Sequence, residues 1–110
     1  MILQIVSLRI RAGAQAAFEA AFDKARRLLP GVPGYQSHEL RRSLECEQGY
    51  VLLIEWRALE DVTLGFRKSA ESARWQELLE GFSERAPQVD FFAADISGNA
   101  RETRRAAGID

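Results

Sequence analysis

Cysteine and histidine occur once each, at Cys46 and His38, and proline only three times in 110 residues. A lone cysteine excludes an internal disulfide, and one histidine with one cysteine leaves no grouping that could hold a structural metal. That usage fits a reducing compartment, and a cytoplasmic protein is the expectation. The opening run MILQIVSLRI lacks a charged n-region, an unbroken apolar stretch and a small-residue cleavage site, so it does not read as a signal peptide. No apolar run reaches the roughly 18 residues that would suggest a membrane span. There is also no glycine-rich phosphate loop for a flavin or nicotinamide, and no nucleophile paired with a base. Charge of one sign is missing too: fifteen Lys and Arg against sixteen Asp and Glu give a net charge of -1. Without a field to attract phosphate, neither nucleic acid nor an anionic membrane is expected as a partner.

What is present is an ordinary globular composition, 46% hydrophobic and 28% charged, in a chain of single-domain length. Residues Ile2 to Ile10 form an apolar strand broken by Gln4, Ser7 and Arg9. After Gly13, the spacing of Ala14, Ala17, Phe18, Ala21, Phe22, Ala25, Leu28 and Leu29 predicts an amphipathic helix. The run Pro30-Gly31-Val32-Pro33-Gly34 stops it, because proline removes donors and glycine permits the turn. The polar run from Tyr35 to Glu45 suits an edge strand, Cys46 to Gly49 a hairpin turn, and YVLLIEW from Tyr50 to Trp56 a central strand. Leu59 to about Phe82 reads as helical with a break near Ser69 to Ser72, burying Leu64, Trp75, Leu78, Leu79 and Phe82. Pro87 ends that region, and Gln88 to Ile96 form the last strand.

The predicted fold class is therefore α+β, a ferredoxin-like βαββαβ domain with a four-stranded antiparallel sheet in the strand order 4-1-3-2 and both helices on one face. Its domain spans 1–97, followed by a polar tail over 98–110 that carries Arg101, Arg104 and Arg105 and is expected to be frayed or partner-dependent. Both central strands are apolar on both faces: Ile2, Val6, Leu8 and Ile10 against Leu3 and Ile5, and Tyr50, Leu52, Ile54 and Trp56 against Val51 and Leu53. A monomer would expose a contiguous apolar sheet, so a homodimer through the open face, closing a dimeric α+β barrel, is the expectation.

The residues PGY at Pro33 to Tyr35, HELRRSLE at His38 to Glu45, YVLLIEW, LED followed by GFRKS at Leu59 to Ser69, and Trp75 before LLEGF resemble the antibiotic biosynthesis monooxygenase domain family. The resemblance covers about residues 2 to 96. It implies the dimeric barrel, and a cofactor-free pocket between sheet and helices in which a phenol, anthrone or hydroquinone is oxidised by molecular oxygen. An electron-rich aromatic, once deprotonated, can itself reduce oxygen, so such a site needs only a shaped apolar cavity and a group to manage the proton. The implied activity is that of a monooxygenase, an oxidoreductase using no cofactor on a small aromatic substrate. The alternative is a non-catalytic dimeric barrel that binds a small ligand or serves in stress. Haem degradation in related proteins uses an Asn, a Trp and a His where this chain has Ser7, Phe66 and Gln76, and is not expected. Where similar sequences carry a histidine after the acid of LED, this chain has Val62, and no role is carried over there.

His38 is the candidate proton acceptor, since a lone imidazole titrates near neutrality, although an edge-strand histidine is commonly a solvated or interface residue. Tyr50, Phe66 and Trp75 are candidates for an aromatic pocket, with core packing as the plain reading of the same spacing. Ser7 joins them because the resemblance places it at a pocket-facing position of the first strand. Arg67, with Lys68, would draw a phenolate towards the pocket, or else sit on a solvated helix face. Trp56 reads as structural and Cys46 as incidental.

Overall fold

Period-two alternation along two apolar segments builds the centre of the sheet. Strands β1 (Ile2–Arg9) and β3 (Gly49–Trp56) pair antiparallel, from Ile2 opposite Trp56 to Arg9 opposite Gly49. Strand β2 (Tyr35–Arg42) flanks β3 and β4 (Gln88–Phe92) flanks β1, giving the order β2-β3-β1-β4 that the sequence predicts. This is a computed structural model, and it describes residues 1–97; the expected 98–110 tail, with its three arginines, lies outside the described residues.

Helix α1 (Gln15–Ala25) places Phe18, Phe22 and Ala25 on its buried stripe and runs into a 3-10 turn over Arg26–Gly31, where Pro30 cannot continue an α-helical ladder. Leu29 in that turn is buried as well. The even-numbered side of the two central strands meets this layer: Ile10, Tyr50, Leu52, Ile54 and Trp56 are buried with Phe18, Phe22 and Val32, and Val6 and Leu8 pack at the margin. Among the described residues, no helix packs over the odd-numbered side, with Leu3, Ile5, Val51 and Leu53.

The connection from β3 to helix α2 (Ala70–Leu79) departs from the predicted helix. It consists of a π-turn over Asp61–Gly65 and a 3-10 turn over Phe66–Lys68. Ser69, within the predicted break, then caps α2 by accepting a hydrogen bond from the Ser72 amide at 3.1 Å. A π-turn and a 3-10 turn each change the angle per residue, so the buried face is not the one a uniform helix would give. Leu64, expected in the core, is 58% exposed, and Val62 takes the buried place at 1%.

Three strand ends also differ from expectation. β1 stops at Arg9, with Ile10 making only an isolated bridge to Ser83. β2 stops at Arg42 rather than Glu45 because the Ser43 hydroxyl accepts from the amides of Glu45 and Cys46 at 3.1 and 3.2 Å and turns the chain. β4 ends at Phe92, leaving Ile96 97% exposed.

The fold also explains why PGY and LED occur together. Gly34 has φ of +92°, and a Cβ there would stand 2.1 Å from the Asp61 carboxyl carbon. Asp61 is not free to retreat, since it accepts from the Ala58 amide and from Arg57, each at 3.0 Å. The Arg57 amide in turn donates to the Gly34 carbonyl at 2.8 Å. Gly13 has a similar φ of +86° but nothing within 4 Å of its would-be Cβ. Gly13→Ala should therefore lose only the left-handed backbone cost, about 1 kcal/mol, whereas Gly34→Ala should lose about 2 kcal/mol or more. Urea midpoints of the two variants test this, and equal losses would mean that the Gly34–Asp61 contact carries no strain.

Candidate active site

Between the helix face of the sheet and the helical layer lies a cavity of about 410 Å³. Its floor is Gln4, Val6 and Leu8 of β1 with Leu52 and Ile54 of β3, and its walls are Phe18, Phe22, Phe66, Trp75 and Leu79. The volume falls at the small end of the range for ligand sites, roughly 300 to 1,000 Å³, and suits a flat ligand of about two or three fused rings. Trp75 stands edge-to-face against Phe22 and Phe66, with ring centroids 5.8 and 6.0 Å apart. Those contacts hold the rings in one arrangement and leave flat surfaces for an aromatic guest.

Polar groups are few. Gln4 is the polar side chain that the sheet contributes to the cavity, and its Oε1 accepts a hydrogen bond from the Trp56 indole Nε1 at 2.8 Å. An indole nitrogen only donates, so the carbonyl end of the amide must face it, and the NH2 group remains for the cavity. Gln76, Glu80 and Ser83 line the side where α2 ends and the chain turns at Gly81. Among the described residues lining the cavity, Glu80 is the one ionisable side chain, and none is basic.

Two of the candidates read from the sequence, Phe66 and Trp75, are brought together as cavity walls. Tyr50 does not line the cavity; it is buried against Phe18, with ring centroids 5.0 Å apart, and its hydroxyl donates to Glu19 Oε2 at 2.6 Å. Arg42 grips the same carboxylate through both oxygens, at 2.7 and 2.8 Å. The Arg42 and Tyr50 hydrogen bonds together pull the Glu19 pKa down to about 2. Arg67 is exposed and does not line the cavity.

Ser7 lies on the wrong side of the sheet for the role expected of it. It pairs with Val51, and both are odd-numbered residues of the open face; the exposed Ser7 borders a small polar depression with Arg9, Arg85 and Gln88. Alternation along β1 puts the residue at the cavity one strand step away, at Val6 or Leu8.

His38 is half-buried on the helix side and does not line the cavity; it packs edge-on against Phe22 from behind, with centroids 6.0 Å apart. Its Nδ1 lies 2.6 Å from the Tyr35 hydroxyl. A phenol is the better donor and an imidazole nitrogen the better acceptor, so the assignment is Tyr35 O–H donating to Nδ1. Burial, and secondarily the Arg26 charge, lower the His38 pKa and keep the ring neutral; burial raises that of Tyr35.

Gln4, Glu80 and Ser83 were not read from the sequence. Gln4 carried a usable signal, being the one polar residue among the even positions of β1. Glu80 and Ser83 sit in an aperiodic loop and gave none.

The chain is thus an α+β domain in which a four-stranded sheet and a helical layer flank an aromatic-walled cavity. The chain belongs to the antibiotic biosynthesis monooxygenase family, whose model matches residues 1–78. It is 39% identical over 92 residues to the uncharacterized protein YczJ of Bacillus subtilis (strain 168), covering 84% of this chain and 97% of that protein. A crystal structure of a candidate antibiotic biosynthesis monooxygenase from Bordetella bronchiseptica superimposes with a TM-score of 0.82 at 30% identity, covering 86% of this chain and 97% of that one. The cofactor-independent oxygenase SnoaB from Streptomyces nogalater shares the fold at a TM-score of 0.71 and 21% identity, over 86% of this chain and 92% of its own. No described helix is long and apolar enough to cross a membrane, and no group of metal-binding side chains occurs among the described residues.

The Glu19–Arg42–Tyr50 cluster has a pH signature. Glu19 is depressed from its ordinary 4.5 to about 2, so its contribution is fully present above about pH 4.5 and is lost as pH falls towards 2. The stability difference between the wild type and Arg42→Ala should shrink over that window in acid denaturation curves. Because Arg42 is largely exposed, added salt should shrink it too. A difference that stays constant down to pH 2 would assign the effect to packing instead.

Proposed function

We propose that this protein is a cofactor-independent monooxygenase that oxidises a phenol, anthrone or hydroquinone with molecular oxygen inside the aromatic cavity. The observation that carries the reading is an apolar, flat-walled chamber whose floor presents one orientation-locked amide donor. In an anthrone-type reaction the substrate supplies all four electrons that reduce O2: a ring CH2 becomes C=O, one oxygen atom is retained there and the other leaves as water with the two hydrogens. The protein's part is to make the carbanion or phenolate accessible and to keep bulk water from the reacting carbon. The Gln4 NH2 would donate to the substrate oxygen on which charge gathers, held in position beforehand by Trp56. Glu80, the ionisable residue of the lining, is the candidate proton acceptor. Membership of the family and the fold shared with a cofactor-independent oxygenase support this assignment.

The test is oxygen uptake by metal-free, flavin-free protein offered a panel of anthrones and hydroquinones. Uptake above the spontaneous rate is expected, and none would favour a binding protein over an enzyme. Gln4→Leu should lower kcat/KM by roughly 10- to 100-fold, at or just below the usual loss for one oxyanion donor. His38→Ala should retain uptake, since the ring stands behind Phe22; a folded but inactive His38→Ala would return the proton to the histidine.

The partner proposed is a second copy on the open sheet face. Leu3, Ile5, Val51, Leu53 and Phe92 make that face apolar, and the side chains around them carry both signs, Arg9 and Arg41 with Glu39 and Asp90. A two-fold axis can bring such a face onto itself with opposite charges meeting. Sedimentation equilibrium should show a dimer that Leu53→Glu converts to monomer without loss of helical circular dichroism. A monomeric wild type would remove the proposal.

A further inference from the structure

We propose that Tyr35 and His38 form a proton-coupled electron donor that discharges oxidising equivalents from the cavity by way of Trp56. The reading of the cavity as an oxygen-handling site supplies the purpose of this relay, while its geometry is independent of that reading.

Trp56 is fully buried and bridges two layers. Its indole N–H bonds Gln4 on the cavity floor, and its ring lies 5.9 Å from Phe66 of the cavity wall. On its other side the Tyr35 ring stands edge-on, with centroids 6.2 Å apart. Indole and phenol are among the side chains that give up one electron most readily, and at these separations nothing need intervene. Oxidation of a phenol makes its proton strongly acidic, so the electron leaves easily only where a base already accepts the O–H hydrogen bond. His38 Nδ1, at 2.6 Å, is that base, and the neutral state of the ring leaves it free to take a proton.

A β-bulge creates the pair. Tyr35 is opposite Trp56 and Ser37 opposite Glu55, with the register shifting between them, so Tyr35 shares a face with His38. In an unbroken strand residues three apart would point to opposite faces.

Tyr50 shows why the site is Tyr35. Its hydroxyl bond is as short, 2.6 Å, but the acceptor is Glu19, held at a pKa of about 2 by Arg42 and so a poor base. Its ring meets Phe18 at 5.0 Å, and phenylalanine does not pass on an oxidation.

The step balances. A substrate peroxyl radical formed in the cavity takes one electron from Trp56 and becomes the peroxide anion. Trp56 is refilled from Tyr35, whose phenolic proton passes to His38 Nδ1. Tyr35 is left as a neutral phenoxyl radical and His38 as an imidazolium, with no change in total charge.

Flash-quench oxidation of the substrate-free protein with a ruthenium photosensitiser tests the relay without any turnover. A tyrosyl signal in absorption and electron paramagnetic resonance is expected in the wild type and in Tyr50→Phe. It should be lost in Tyr35→Phe, which keeps the ring packing, and in His38→Phe, which removes only the base. Mass spectrometry should then find more oxidised Trp56 in Tyr35→Phe than in the wild type. No tyrosyl signal in the wild type, a signal indifferent to Tyr35 or His38, or unchanged Trp56 oxidation would each overturn the proposal. None of these outcomes depends on whether the protein consumes oxygen with a quinol.

Discussion

The pairing of β1 with β3 in a single register is the constraint on which everything else rests. With Ile2 opposite Trp56 and Ser7 opposite Val51, every even residue of both strands points to the helices and every odd one points away. One register therefore assigns two functions at once: a floor for the core and cavity, and an apolar back. It also sets Gln4 where Trp56 can reach it, so the amide that faces the cavity is oriented by a residue 52 positions later in the chain. The cavity is left open because the layer above is short. α2 is only ten residues long and is reached through π and 3-10 turns that swing Phe66 inward and Leu64 outward.

Much of this was legible in the residues. Two-sided apolar strands, one well-patterned helix and the Pro-Gly turns are strong periodic signals, and they fix the element order and strand order without further information. The failures are equally physical. The resemblance places Ser7 at the pocket, whereas its odd position beside Leu3 and Ile5 sets it on the open face once the even positions meet the helices. A 3.6-residue period puts Leu64 in the core, and the π-turn does not keep that period. The bulge at β2 leaves no composition signal, since Gln36 is an unremarkable residue in a polar strand. The cavity rim at Glu80 and Ser83 comes from an aperiodic loop, which only three dimensions bring opposite β1.

The two tyrosines illustrate how little residue type alone decides. Both are on the helix side, both touch aromatic rings and both have hydroxyl bonds of 2.6 Å. What separates them is the charge that stands behind each acceptor. Arg42 makes Glu19 a fixed anion and Tyr50 a strut tying α1 to the hairpin. Tyr35 instead meets a half-buried, neutral imidazole, which has a place for a proton. Chemistry in this fold is therefore set less by which side chains are present than by what neutralises their neighbours.

The extra residue at Gln36 has one more implication. Because side-chain direction in a strand is binary, the bulge works as a phase inverter for everything on its N-terminal side, while β2 beyond Ser37 keeps its pairing. Removing Gln36 would seat Tyr35 next to Ser37 and keep it opposite Trp56 on the inner face, whereas drawing Gln36 into a regular ladder would turn Tyr35 onto the face proposed for the second subunit and leave the core side of Trp56 without its neighbour. Chains sharing this sheet can thus differ, by whether one extra residue is bulged out or taken into the ladder, in whether an aromatic at this place belongs to the interior or to the seam. Strand length, read modulo two, is a trait on which selection can act without altering any side chain.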